Sequence, residues 1–144
     1  MLFYSSDGTS VTWFEPPPVE VISDHNLVHY ASNTTKLPLA STNISLSWNF
    51  SLSSGLFFIS LNLRLNGEGI GGVPPAGVGE PGIISPFNQR FSLNWIPSEK
   101  VTLTIFNVTA DDNGTFECEL NLFKSISNNW KSIIPVQVLG KFGN

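Results

Sequence analysis

A few residue spacings in this chain could in principle do chemistry. Gly67-x-Gly69-x-x-Gly72 has the form of a dinucleotide-binding fingerprint, in which a glycine turn presents a pyrophosphate to a helix N-terminus. Here Val73-Pro74-Pro75 follows the glycines, so no helix can start where the phosphates need one, and a hairpin loop is the better reading. His25 and His29 lie at i and i+4, the spacing of two metal ligands on a helix. Neither has a Cys or Glu in register and the surrounding sequence is polar and irregular, so both read as surface histidines. Asp111-Asp112 supplies too few oxygens for calcium and reads as turn chemistry. Cys118 is the only cysteine, with no histidine partner suggested by the sequence, and no serine sits in a G-x-S-x-G elbow. No enzyme activity and no cofactor are expected.

Composition narrows the partners. Of 144 residues, 41% are hydrophobic and 12% charged, about half the usual charged share. The net charge is −4 with seven basic residues, which disfavours nucleic acid and anionic membrane surfaces alike. No run reaches the ~20 apolar residues of a membrane-spanning helix. Met1 to Gly8 lacks the basic and apolar regions of a secretory signal, so a secreted form is expected to carry its signal upstream. A single domain is expected over residues 9–139, with 140–144 opening a linker. The lone cysteine excludes an internal disulfide, which by itself suggests a reducing compartment. The glycosylation sequons discussed below point outside the cell, and they weigh more.

The elements are strands. Ile44, Leu46, Trp48 and Phe50 alternate with Asn43, Ser45, Ser47 and Asn49. Phe57, Ile59, Leu61, Leu63 and Leu65 repeat the pattern up to Asn66-Gly67, a dipeptide suited to a tight hairpin because both turn positions need positive φ. A return strand is expected over Glu68 to Val73. Further strands are expected from Arg90-Phe91-Ser92-Leu93, from Val101, Leu103 and Ile105 with Val108 rejoining the core, and from Phe116, Cys118 and Leu120 after a turn at 111–114. The last runs from about Trp130 to Leu139, at an edge or bulged at Pro135. Val11 to Val21, broken by three prolines, is a first edge strand; residues 22–42 read as an insertion or wandering strand, and 66–86 as a Gly/Pro-rich mobile loop. The pattern predicts an all-β sandwich or barrel.

Asp112-Asn113-Gly114-Thr115-Phe116-Glu117-Cys118 resembles the D-x-G-x-Y-x-C signature of immunoglobulin domains, and Leu103-x-Ile105-x-x-Val108 resembles the strand that precedes it. The resemblance covers residues 44–139. It implies a V-type, two-sheet antiparallel Greek-key sandwich in which Arg90 pairs with Asp112. The departures are as telling. Trp48 stands where the first disulfide cysteine is usual, Ile59 or Leu61 where a core tryptophan is, and Phe116 replaces the corner tyrosine. A missing disulfide costs about 2–5 kcal/mol, and a buried indole, at ~25 cal/mol per Å² over ~150–250 Å², offsets most of that. Cys118 then becomes a small buried hydrophobe. The combined pattern is similar to first domains of cnidarian immunoglobulin receptors, including hydroid allorecognition receptors. That resemblance implies the ectodomain of a type I membrane protein, attached through segments outside this chain, that recognises other cells.

Five Asn-x-Ser/Thr sequons occur, at Asn33, Asn43, Asn49, Asn107 and Asn113. Asn43 and Asn49 are expected on the outward face of their strand, Asn107 at a strand end and Asn113 at a turn, all able to carry a glycan. The expected partner is a protein, on an opposing cell or a second copy of the domain. It would meet a face built from Phe58, Ser60, Asn62 and Arg64 on one strand and Glu117, Glu119, Asn121 and Phe123 on the next, free of sequons. A structural spacer, or a carbohydrate-binding sandwich using Trp13, Trp95 or Trp130 as platforms, are the alternatives.

Overall fold

The computed structural model describes residues 11–24, 27–123 and 129–140. Twelve strands form two sheets: β1 Val11–Glu15, β2 Glu20–Asp24, β3 Leu27–Ala31, β4 Thr35–Pro38, β5 Ile44–Leu52, β6 Phe57–Leu65, β7 Glu68–Val73, β8 Gly82–Ile83, β9 Phe91–Ile96, β10 Lys100–Ile105, β11 Gly114–Phe123 and β12 Asn129–Leu139. The first sheet runs β1-β5-β10-β9. The second runs β2-β3-β12-β11-β6-β7-β8, with β4 also beside β12. The chain passes from one sheet to the other between β1 and β2, β4 and β5, β5 and β6, β8 and β9, and β10 and β11, whereas β2–β3, β6–β7 and β9–β10 pair within a sheet.

One core fills the space between the sheets. Leu46, Trp48 and Phe50 from β5, and Val101, Leu103 and Ile105 from β10, meet Leu61, Leu63 and Leu65 from β6 and Phe116, Cys118 and Leu120 from β11. All are buried, as their period-two spacing requires when one face of each strand meets water. On the first sheet's outer face, hydroxyls pair across the strands, Ser45 with Thr104 at 3.2 Å and Ser47 with Thr102 at 3.1 Å. Polar side chains that satisfy one another suit a solvated surface.

Four regions differ from the sequence expectation. Residues 20–38 hold three strands where 22–42 read as an insertion, with β2 and β3 forming a hairpin and β3 and β4 each lying parallel to β12. The sandwich is therefore not wholly antiparallel. Val28 and Tyr30, two apolar positions in a polar stretch, are what anchor β3 in the core. The second difference is Pro135, which lies inside the sheet, opposite Thr115. It falls between Ile133, the last residue paired with β3, and Val136, the first paired with β4, so its missing N–H coincides with a change of partner. The third is the 66–86 region, which contains β7, β8 and only a short irregular stretch over 74–81. There Gly71 and Gly72 are required by packing, since an added Cβ would meet the backbone of Gly82 at 2.4 Å or that of Leu61 at 2.0 Å.

Asn66-Gly67 is the expected tight turn, with φ of 52° and 84°. Its asparagine also reaches across to β11: Asn66 Oδ1 accepts from the Thr115 N–H at 2.9 Å, and Nδ2 donates to the Asn113 carbonyl at 3.2 Å. Gly114 makes room for this, because at φ 137° its added Cβ would lie 1.9 Å from Asn66 Oδ1. Gly114→Ala is expected to destabilise the domain by about 1–3 kcal/mol through backbone strain and loss of these bonds. A urea midpoint lowered without a change in slope would register it.

The fourth difference concerns phase. Along β6, Leu61, Leu63 and Leu65 point inward as expected, but Phe57 and Ile59 do not. Asn121 on β11 pairs with Ser60, and Leu122 pairs with Phe58, leaving Ile59 as an extra residue in β6. That bulge reverses the alternation N-terminal to it. Phe58 turns toward the core and packs on Trp95, ring centroids 4.9 Å apart, while Phe57 and Ile59 turn out.

Candidate functional site

The outer face of β6, β11 and β12 carries an ordered polar ladder. Arg64 and Glu119 form an ion pair at 2.7 Å, and Asn62 Nδ2 reaches the same Glu119 oxygen at 3.5 Å. Lys131 lies 3.9 Å from Glu117, and Asn121 donates to Ser60 at 2.9 Å. These contacts run diagonally as well as directly across the strands, so opposite charges alternate over the face. Glu119 faces outward yet is only 6% exposed, because its neighbours cover it. The sequence places Glu119 on this outer face, and the structure adds that the long side chains of flanking strands close over it.

At one end of this ladder the surface becomes apolar. Phe57 and Phe123 are each 55% exposed, their ring centroids 6.5 Å apart, and Ile59 beside them is 39% exposed. Of the eight expected face residues, the structure brings seven to this side of the sheet: Ser60, Asn62, Arg64, Glu117, Glu119, Asn121 and Phe123. Phe58 is the exception, and Phe57 takes its place. The missed signal is the bulge, which no period-two count can locate.

The residues expected to support the fold are also placed. Trp48 and Cys118 are both fully buried, on facing sheets and within one core cluster, with Leu61 rather than Ile59 as the inward residue of β6. Phe91 packs edge-on against Phe116 at 6.2 Å. Burial raises the Cys118 thiol well above its ordinary pKa, and the neighbouring Glu119 adds to the effect, so this sulfur stays protonated and is no nucleophile at neutral pH. Arg90 Nη2 donates to Asp112 Oδ2 at 2.6 Å and to the Asn107 carbonyl at 3.0 Å. The same Asp112 oxygen accepts from the Thr109 N–H at 2.9 Å, tying the β10–β11 connection to the start of β9.

The tryptophans are not platforms. Trp13 and Trp130 are buried, and Trp95 is partly buried against the core. They belong to a row of aromatic contacts, Trp130–Tyr30–Trp13–Phe50–Trp95–Phe58, with successive centroids 4.9–6.3 Å apart. The row crosses from the second sheet to the first and back. Trp13 and Trp130 therefore present no exposed ring face, and Trp95 packs against Phe50 and Phe58 with only part of its surface open.

Asn33, Asn43, Asn107 and Asn113 are exposed, and Asn49 is half-buried on the outer face of β5. Asn43 is not on that strand face as expected; it sits just before β5 with a φ of 56°. Asn113 Oδ1 accepts from the Val138 N–H at 2.9 Å, so this side chain already ties β11 to β12. His29 lies on β3 rather than a helix, with its Nε2 buried, and His25 falls outside the described residues. Among the described residues, no three His, Cys, Asp or Glu side chains gather in a way that could hold a metal ion.

A two-sheet sandwich with this strand order is an immunoglobulin-like fold. Murine CRIg matches it with a TM-score of 0.57 at 13% identity, over 83% of this chain and 96% of that one. A titin A168169 structure aligns at a TM-score of 0.49 and 10% identity, over 74% of this chain and 44% of its own. At such identities the likeness to CRIg speaks for the fold alone. No protein-family model and no curated protein matches the sequence.

Proposed function

We propose that residues 9–139 form one V-type recognition domain of a cell-surface receptor, docking a protein partner on the outer face of β6, β11 and β12. The observation that carries this is the exposed Phe57–Ile59–Phe123 patch beside a ladder whose polar groups are already bonded to one another. An apolar centre with a satisfied polar margin is the usual make-up of a protein interface. A ladder held in place before contact also loses little side-chain entropy on binding. The placement of β7 and β8 beyond β6 fits a V-type sheet. The extracellular setting draws on the exposed sequons, and the resemblance to cnidarian receptor first domains draws on the motifs around Trp48 and Cys118. In the described residues no helix is long and apolar enough to cross a membrane, so attachment would come through segments outside this chain.

The test is binding of a multimerised domain to cells, together with sedimentation of the domain alone. Phe57→Asp with Phe123→Asp is expected to lower cell binding by about 30-fold or more, the weight of a central interface anchor. The melting temperature should hold, since both side chains are largely in water. Ser45→Glu, on the opposite sheet, should leave binding unchanged. Concentration-dependent dimers lost in the Phe double variant would make the partner a second copy. Full binding by that variant would refute the face.

A further inference from the structure

Beside the Ile59 end of this face lies a hollow of about 370 Å³, between the start of β6, the end of β9 and the 74–81 segment. Its walls are Phe58, Ile59, Pro74, Trp95 and Pro97, and Glu80 is the one charged residue lining it. A second hollow, on the other side of the same segment and against β7 and β8, also has Glu80 as its one charged lining residue. No ion pair engages Glu80 among the described residues. We infer that the hollow beside Trp95 receives an arginine side chain presented by a protein partner.

The chemistry of the lining selects this occupant. A lone carboxylate above apolar walls calls for a cation on an apolar stem. Walls of Phe58, Ile59, Pro74, Trp95 and Pro97 favour a weakly hydrated guanidinium over a strongly hydrated ammonium. Excluding water as a partner docks strengthens the charge pairing beyond what Glu80 could achieve on an open surface. This chain's two arginines are both engaged, Arg64 with Glu119 and Arg90 with Asp112, so a second copy would have to break a pair to supply one. The inference rests on the docking face proposed above and narrows its partner to a different protein.

The probe is N-acetyl-arginine amide, titrated into the isotope-labelled domain and followed by NMR. Saturable shifts are expected at Phe58, Ile59, Glu80 and the Trp95 indole, with a dissociation constant in the millimolar range usual for so small a ligand. The neutral isostere N-acetyl-citrulline amide and the lysine analogue should bind at least fivefold more weakly. Glu80→Gln should weaken the arginine probe about tenfold. Gly82→Leu fills the other hollow, and its Cβ meets no atom, so it should leave the titration unchanged. Equal binding of citrulline, shifts at other residues, or no saturation would overturn the inference. So would shifts at these residues that grow with protein concentration in the absence of probe, which would make a second copy the occupant. Phe57→Asp with Phe123→Asp leaves the hollow's walls intact. If those substitutions abolish cell binding while the probe fails, only the arginine pocket is lost; if the probe binds and they do nothing, the face is wrong.

Discussion

Arg90→Ala is expected to lower stability by about 3 kcal/mol, toward the low end of the range for stripping the partner from a buried charge. Asp112 is fully buried, and its Oδ1 finds no hydrogen-bond partner, so Arg90 and the Thr109 N–H, both on Oδ2, are its recorded support. Removing the guanidinium leaves a carboxylate desolvated and short of donors. Arg90 itself is 31% exposed, so water can reach part of the gap and moderate the loss. For a domain of this length the change corresponds to a fall in melting temperature of about 10 °C. Asp112→Ala added to Arg90→Ala should recover part of it, because the orphaned charge goes too. Arg90→Lys should rescue only in part, since a single ammonium replaces a planar fork that also reaches the Asn107 carbonyl. Near-native melting of Arg90→Ala would show that the pair is incidental to the fold.

The second large effect is at Trp48. Trp48→Ala removes one of the two fully buried tryptophans, from a position that faces the lone sulfur's sheet, and should cost about 3–5 kcal/mol. The argument is one of volume. Trp48 stands where the immunoglobulin resemblance places the first disulfide cysteine, and it and Cys118 are both fully buried, on facing sheets. Trp48 Nε1 has no hydrogen-bond partner, so the residue contributes by filling space and not by any polar bond. Trp48→Phe should therefore lose clearly less than Trp48→Ala, relieving a buried N–H while keeping an aromatic ring. Urea unfolding of both variants would check this. A Phe variant as damaged as the Ala variant would mean that a polar contact of the indole matters after all. The aromatic row from Trp130 to Phe58 supplies a separate tie between the sheets, which is why Trp48→Ala is expected to weaken the domain without abolishing folding.

Much of the architecture was legible in the residues. Period two over Ile44–Phe50, Val101–Ile105 and Phe116–Leu120 identified three central strands, because a half-buried strand must alternate apolar and polar side chains. Asn66-Gly67 marked its turn, since few other pairs accept positive φ at both positions. Asp112 and Arg90 were legible only through the immunoglobulin resemblance. The β2–β3 hairpin and β4 were not legible, because strands at the margin of a sheet carry few core residues and many polar ones. Tyr30 and Leu37 gain their meaning only from β12 and the rings behind it.

The candidate site divides along the same line. Composition and alternation by themselves determined that β6 and β11 each present a polar and an apolar side, and which residues share a side within an unbroken stretch. Whether a stretch is unbroken was decided by the partner strand. The extra residue at Ile59 exists only relative to Asn121 and Leu122 on β11. A single added residue reverses every side chain beyond it, so Phe58 went to the core and Phe57 to the surface. Burial of Glu119 was likewise a tertiary matter, set by how far Asn62, Arg64 and their neighbours extend over it. One strand specifies its own alternation; phase and cover require two.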